Sequence, residues 1–183
     1  TRGYHLFITG SDGWMKSSSM IKVCHVVTRM NVGGVAVLID NLLENIDSLK
    51  YEVLLVTGSC EAPEGDYLDS RNPKYRFVRL ANFHKSLDIK DDVSSGISLI
   101  KSIREFKPDI IHSHTFKAGF IVRARKQSVP VIHTFHGHLL DDPEFSGFKA
   151  RVITAIEKRL AKKTSKLVSV GERVAEELIE LNV

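Results

Sequence analysis

The chain has 183 residues, of which 43% are hydrophobic and 26% are charged, a composition typical of one globular domain or a large part of one. No apolar run approaches the roughly 20 residues that cross a bilayer, and two cysteines are too few for a disulfide framework. These features exclude a collagen-like, disordered, disulfide-rich or membrane-spanning chain, and the sparse cysteines favour a reducing compartment.

The net charge of +4 is concentrated in one segment. Residues 147–166 contain seven Lys or Arg and a single Glu, so the remainder of the chain is slightly acidic. A dedicated nucleic-acid binder spreads basic and aromatic residues over a whole face, and we therefore expect no nucleic-acid partner. The basic segment from Lys149 to Lys166 is either a solvated helix face or a contact with an anionic membrane surface or a lipid diphosphate.

Residues 1–19 do not match the pattern that follows them. They end in three serines and lack the charged and then apolar order of a secretory signal. We therefore predict that 1–19 is an extension and that the functional domain is 20–183. A cytoplasmic location is expected, with peripheral contact at the inner face of the membrane if the basic segment binds lipid.

From residue 21 the chain alternates between β-branched runs and apolar residues at helical spacing. Strands are predicted at 21–28, 51–57, 75–80, 109–112, 130–135 and 166–170. Helices are predicted around 35–46, 93–106, 118–126, 148–160 and 174–181. Residues 58–72 are rich in Gly, Pro and Asp and are predicted as a loop. The alternation predicts an α/β fold: a doubly wound, Rossmann-like parallel sheet with helices on both faces.

Ligands of such sheets bind beyond the carboxyl ends of the strands. The loop after the first predicted strand contains Asn31-Val32-Gly33-Gly34 and leads into a helix. Two glycines allow a phosphate or sugar to approach the backbone, and a helix amino end attracts anions. The loop is neither a dinucleotide-binding G-x-G-x-x-G nor a Walker loop. A tight turn without a ligand is the alternative.

Histidines are concentrated in the second half of the predicted sheet. Five of the eight lie between residues 112 and 138: His112, His114, His133, His136 and His138. At strand ends a histidine can carry a proton or donate a hydrogen bond to a sugar hydroxyl or a phosphate. His112 and His114 alternate along a strand and so share a face, but His112 and His133 are more simply explained as core or turn residues. A zinc site is a further alternative, in which the two H-x-H pairs supply ligands. Asp141 and Asp142 are the acidic residues at a spacing that could add to them.

Four stretches in order resemble the N-terminal half of family 4 glycosyltransferases, which have the GT-B fold. They are the glycine loop at 31–34, PDIIHSHTFKAG at 108–119, PVIHTFHGHL at 130–139 and IEKRLAKKTSKLVSVGERVAEEL at 156–178. The resemblance implies that 20–183 is an acceptor-side domain whose C-terminal donor domain is missing. It further implies a nucleotide-sugar donor, a sugar or lipid-linked acceptor, retention of anomeric configuration and no metal or other cofactor.

The resemblance also implies roles for individual residues. It places His136 against the transferring sugar as the catalytic residue, and Gly33 and Gly34 near the donor diphosphate. Cleft-lining or acceptor contacts are implied for Asn31, His114, Thr115 and His138. Glu172 and Glu180 have the spacing of the family's donor-domain E-x7-E motif, but they lie in the wrong half of the fold to serve as it.

The implied activity is sugar transfer in the synthesis of a cell-surface polysaccharide or glycoconjugate, and the chain alone is expected to be inactive. Two alternatives stay open at this point. One is a GT-B nucleotide-sugar epimerase. The other is a non-catalytic acceptor-binding half that needs a separate donor subunit.

Overall fold

A computed structural model describes residues 20–84, 89–137 and 147–183, in which six strands and five α-helices alternate. The strands are β1 (Ile21–Arg29), β2 (Tyr51–Gly58), β3 (Arg76–Leu80), β4 (Ile110–His114), β5 (Val131–Phe135) and β6 (Lys166–Ser169). The helices are α1 (Gly34–Glu44), α2 (Ile89–Phe106), α3 (Phe116–Ala124), α4 (Phe148–Ala161) and α5 (Glu172–Glu180). Predictions made for residues 1–19, His138, Asp141 and Asp142 lie outside the described residues.

All neighbouring strands are parallel, and their order in the sheet is β3-β2-β1-β4-β5-β6. This is the order of the doubly wound Rossmann-like fold, so the predicted fold class is confirmed. The order reverses between β1 and β4, and this reversal leaves a crevice at their carboxyl ends.

The sheet is buried on both faces, as the β-branched runs predict. Val26 and Val56 pack in a cluster with residues of α2 and α3, whereas the adjacent Val27 and Leu55 pack in another cluster with residues of α1. Because successive side chains of a strand point to opposite faces, α1 lies on one face and α2 with α3 on the other. A third cluster joins Phe135 to α4 and α5. The chain therefore leaves β1 and β4 toward opposite faces.

Two local features differ from the expectations. β4 extends to His114 rather than ending at residue 112, because its last residues still pair with β1 and β5. The predicted loop at 58–72 contains a 3-10 helix at Tyr67–Ser70. The Asp66 carboxylate accepts a hydrogen bond from the backbone N–H of Leu68 at 2.9 Å, and the Leu68 side chain is buried.

A buried carboxylate fixes α1 against this 3-10 helix. Asp40 is fully buried and accepts hydrogen bonds from the Tyr75 hydroxyl at 2.7 Å, the Tyr67 hydroxyl at 3.2 Å and Arg71 at 2.6 Å. A buried charge is tolerated when it is paired and hydrogen-bonded in this way. The contacts hold the middle of α1 against the 3-10 helix and the start of β3.

Candidate functional site

Two hydroxyl groups join the strands on either side of the crevice. Thr28, near the end of β1, and Thr115, directly after β4, place their Oγ1 atoms 2.8 Å apart. The backbone N–H of Ala118, in the first turn of α3, lies 3.3 Å from the Thr28 oxygen and donates to it. The amino end of α3 is thereby tied to the carboxyl end of β1.

Thr115 has an unusual backbone conformation. Its φ of 62° lies in the region that favours glycine, and it caps α3 without a side-chain hydrogen bond to that helix. A non-glycine residue in such a conformation costs on the order of 1–3 kcal/mol, and such residues are concentrated at ligand sites. The sequence gives no signal for this strain.

The glycine loop leads into the amino end of α1. Its backbone is held by the 3-10 segment: the Val32 N–H donates to the Gly65 carbonyl at 2.9 Å, and Asn31 forms an antiparallel bridge with Asp66. Gly33 caps α1 without a side-chain hydrogen bond, and the first turn contains no acidic residue. The first N–H groups of α1 can therefore receive an anion.

No neighbouring atom of the described residues excludes a side chain at position 33 or 34. A Cβ on Gly34 would meet no described atom within 4 Å, and one on Gly33 would approach only Asn31, at 3.8 Å. By contrast, a Cβ on Gly58 would lie 1.3 Å from the Phe83 carbonyl oxygen. No described residue fills the space in front of Gly33 and Gly34, so a ligand could approach the backbone there.

Three imidazoles form a hydrogen-bonded chain across three strands. His25 of β1 places Nδ1 3.1 Å from Nε2 of His114, at the end of β4. Nδ1 of His114 lies 2.9 Å from Nε2 of His136, the residue directly after β5. We call this set the imidazole chain. His25 and His114 are buried and His136 is partly buried.

The other two described histidines of the cluster have hydroxyl partners. Nε2 of His112 lies 2.7 Å from Oγ1 of Thr134, and Nδ1 of His133 lies 3.0 Å from Oγ of Ser113. His112 shares a face with His114, as the alternation predicts, and their ring centroids are 4.2 Å apart. His133 is buried against α3, where a Cβ on Gly119 would overlap its ring.

Burial keeps these imidazoles neutral. Burial lowers the pKa of His136 to about 4. It also lowers the pKa of His112 to about 4, with a smaller contribution from the neighbouring His136. Burial holds the pKa values of His25, His114 and His133 well below the usual value. The neighbouring imidazoles act in the same direction, and so does the Arg123 guanidinium on His133. A neutral His136 near pH 7 is suited to hydrogen bonding rather than to carrying a positive charge.

These shifts predict that the protein loses stability in mild acid. Below pH 6.5 the unfolded chain binds protons that the folded imidazoles exclude, so stability falls as the pH falls. For His112 and His136 together, the free energy of unfolding should decrease by about 4 kcal/mol between pH 7 and pH 5. Urea unfolding at several pH values measures this slope, and His112→Gln should reduce it. A flat profile from pH 7 to pH 5 would contradict the neutral assignment.

Three histidines satisfy the minimum geometry for a metal. Ligand nitrogens of His25, His112 and His114 lie within 4.8 Å of one another. Both nitrogens of His114 lie within hydrogen-bond distance of other imidazoles, so this ring could bind a metal only by giving up one of those contacts. The expectation that no metal is needed stays a prediction.

The sequence-predicted residues are distributed as follows. Gly33, Gly34, Thr115 and His136 follow the carboxyl ends of β1, β4 and β5, so they share one edge of the parallel sheet. His114 is at this edge but buried behind His136, with 1% of its surface exposed. Their roles toward a ligand stay predictions.

Sequence reasoning missed His25. It lies inside a β-branched run, where a lone histidine reads as part of a core strand. Its partnership becomes visible only through the register that pairs His25 with His112 across β1 and β4. The sequence signal that could have indicated this role is the position of His25, a polar residue in the second half of the first strand.

A cavity of about 450 Å³ lies at the opposite edge of the sheet, before β4 and β5. Its lining includes the side chains of Arg104, Lys107, Arg125 and Lys126. These residues follow or end α2 and α3, where basic side chains compensate the partial negative charge of helix carboxyl ends. The helix ends therefore account for these basic side chains, and the cavity lining includes none of the predicted site residues.

The basic segment forms most of α4, with Lys158 and Arg159 in its last turn and Phe148 80% exposed at its start. Contact of this helix with a membrane stays a prediction. Among residues 20–84, 89–137 and 147–183, no helix is both long enough and apolar enough to cross a bilayer. Glu172 and Glu180 are the two ends of α5, an ordinary surface helix of this same sheet.

The fold and the crevice define a Rossmann-like domain of the kind found in GT-B proteins, and comparisons with known proteins agree. The sequence matches Glycosyltransferase Family 4 over residues 32–183, and the chain belongs to this family. It is 30% identical over 158 residues to a UDP-Gal:α-D-GlcNAc-diphosphoundecaprenol α-1,3-galactosyltransferase of Escherichia coli, covering 84% of this chain and 40% of that protein.

A second relative is an uncharacterized 41.2 kDa protein in the cps region of Klebsiella pneumoniae, 29% identical, with 81% of this chain and 40% of that protein covered. The chain thus spans about 40% of the length of the curated relatives it matches.

Solved structures share the fold. A putative UDP-N-acetylglucosamine 2-epimerase of Listeria monocytogenes superposes with a TM-score of 0.62 at 16% identity, over 90% of this chain and 43% of that chain. A sucrose-phosphate synthase of Thermosynechococcus elongatus gives 0.59 at 14% identity, over 80% and 41%. At this level of identity the likeness concerns the fold alone.

Proposed function

We propose that this chain is the acceptor-side domain of a retaining glycosyltransferase that transfers a sugar from a nucleotide-sugar to a sugar or lipid-linked acceptor. The observation that supports the proposal is that a glycine loop and a neutral histidine follow strand ends at the same edge of the sheet, in a member of family 4. The E. coli relative is named for UDP-Gal and a diphosphoundecaprenol-linked acceptor. This chemistry supports a role in cell-surface polysaccharide or glycoconjugate synthesis.

In the proposed reaction the bond between the sugar C1 and the diphosphate oxygen breaks. The acceptor hydroxyl oxygen bonds to C1 on the same face, and its proton leaves with the diphosphate. The residues proposed to act in this chain are Gly33 and Gly34, which admit the diphosphate to the amino end of α1, and His136, which contacts the sugar. Helix dipoles and hydrogen-bond donors stabilise the leaving group electrostatically, so the proposal invokes no metal.

Asn31, Thr115 and His138 are proposed to line the acceptor side of the same cleft. Asn31 and Thr115 flank the crevice from β1 and β4. A donor-binding domain completes the site, since the chain spans only part of its relatives' length. The nucleotide contacts then come from that domain.

The 183-residue chain alone should bind a nucleotide-sugar weakly. A single helix amino end and one histidine give few contacts, so we expect a Kd weaker than roughly 100 μM for UDP-sugars by titration calorimetry. A two-domain protein, with a donor-binding domain joined to this chain, is the positive control. Micromolar binding by the chain alone would contradict the division of labour between the domains.

The epimerase alternative is separated from transfer by product analysis. Transfer needs an acceptor, whereas an epimerase converts the donor without one. Incubation of the two-domain protein with the nucleotide-sugar alone should leave the sugar configuration unchanged. An altered sugar would replace the proposal with epimerisation, and transfer that appears only when a separate donor-binding subunit is added would favour the non-catalytic half.

A further inference from the structure

The imidazole chain connects the buried core of β1 to the residue proposed to contact the sugar. Its two hydrogen bonds, of 3.1 Å and 2.9 Å, use one nitrogen of His25, both nitrogens of His114 and one of His136. His25 and His114 are 2% and 1% exposed, so water does not compete for these contacts. Nothing in the family assignment gives His25 a role.

A neutral imidazole has one N–H donor and one lone pair. The middle ring, His114, must therefore donate at one nitrogen and accept at the other. The two contacts are coupled, and only two proton orders satisfy both. In the first order all three rings carry the proton on Nε2, and in the second all three carry it on Nδ1.

The two orders give opposite hydrogen-bonding properties to Nδ1 of His136, the nitrogen that takes no part in the imidazole chain. With its proton on Nε2, His136 keeps a bare Nδ1, which accepts a hydrogen bond. With its proton on Nδ1, it presents a donor. A sugar hydroxyl can donate to a bare nitrogen, whereas a fully ionised diphosphate oxygen can only accept. The proton order of the buried chain thus decides which ligand group His136 can bind.

Intrinsic tautomer preference favours the first order. A neutral histidine side chain in water prefers the Nε2–H form, and the first order gives all three rings that form while satisfying both contacts. We propose that His25 and His114 are positioning residues that hold His136 in its Nε2–H form, with Nδ1 available to accept a hydrogen bond from a sugar hydroxyl. The hydroxyl as ligand rests on the proposed function, but the control of the His136 tautomer does not.

His112 provides a matched control within the same cluster. Its ring lies 4.2 Å from that of His114, centroid to centroid, but its Nε2 is paired with the Thr134 hydroxyl rather than with the imidazole chain. Removing His112 changes the local packing and leaves the two imidazole contacts in place. Comparison with His112→Gln therefore distinguishes a general disturbance of the histidine cluster from a break in the imidazole chain.

Nitrogen-15 NMR of the full 183-residue chain tests the proposal without turnover or ligand. Long-range ¹H–¹⁵N correlations near pH 7 report which nitrogen of each histidine is protonated, with His136 assigned from its absence in His136→Ala. We expect Nδ1 of His136 to be unprotonated in most molecules. In His25→Leu, a proton on Nε2 of His114 would be buried without a partner. The order should then reverse and move the His136 proton to Nδ1 in most molecules.

His112→Gln should show the wild-type tautomer of His136, because this substitution leaves both contacts of the imidazole chain in place. The proposal is overturned if wild-type His136 carries its proton on Nδ1, or if His136 has the same tautomer in wild type and in folded His25→Leu. It is also overturned if chelator-treated protein binds Zn²⁺ stoichiometrically and His25→Leu does not, since a metal would then replace the chain.

The failure of this inference and that of the proposed function are separable. Unchanged tautomers with a turnover that depends on His136 would overturn the positioning role and leave sugar transfer standing. The expected tautomer reversal with a fully active His136→Ala would support the positioning role and remove the sugar contact.

Discussion

Replacing His136 with alanine in a two-domain protein should lower kcat for sugar transfer by about 10²-fold or more. A hydrogen bond made in a water-poor site as charge develops on the sugar is worth far more in the transition state than in the ground state. We therefore expect the KM for the donor to change much less than kcat. Initial rates of labelled sugar transfer, measured across donor concentrations, separate the two parameters.

His112→Gln is the control for this experiment. His112 shares the lowered pKa of about 4, but its Nε2 is hydrogen-bonded to Thr134 rather than to the imidazole chain. Its turnover should stay within a few-fold of wild type. Equal turnover of His136→Ala and wild type would remove His136 from the catalytic site.

Breaking the buried ion pair between α3 and α4 should cost about 3–5 kcal/mol of unfolding free energy. Arg123 Nη2 donates to Glu157 Oε1 at 2.8 Å, and both side chains are completely buried. Glu157→Leu leaves the guanidinium buried without its counter-charge. Urea unfolding of wild type and variant at pH 7 gives the difference directly.

The double variant Arg123→Met with Glu157→Leu should recover most of this loss. Arg123 Nη1 and Glu157 Oε2 have no hydrogen-bond partner among the described residues, so the pair gains less than its burial costs. Burial raises the pKa of Glu157, and the adjacent Arg123 opposes that shift. A double variant no more stable than Glu157→Leu would show that the charges themselves hold α3 in place.

The sequence predicts the fold well because its signals are repeated. β-branched runs, helical spacing and Pro108 after α2 agree with one another, and each predicted strand and helix is present among the described residues. Differences arise where packing decides. Leu38 and Leu42 continue the apolar spacing of α1 but are 38% and 42% exposed, because the buried face of that helix includes Ala36 and Ile39 instead.

The site was less predictable because it depends on contacts between distant residues. The strand-end rule predicts that the glycine loop, Thr115 and His136 share one edge of the sheet, and the strand order confirms that placement. The strand-end rule and the glycine loop do not reveal that His25 and His114, which are 89 residues apart in the sequence, are hydrogen-bond partners. Nor do they reveal that Thr115 adopts a positive φ. Strand order and register create the pairing of His25 with His114, and neither feature leaves a local signature.

The most direct test of the account is a crystal structure of the two-domain protein with its nucleotide-sugar bound. The diphosphate should lie against Gly33 and Gly34 at the amino end of α1, and a sugar hydroxyl should lie within hydrogen-bond distance of His136. A diphosphate held instead at the opposite edge of the sheet, in the cavity lined by Arg104 and Arg125, would contradict the proposed site.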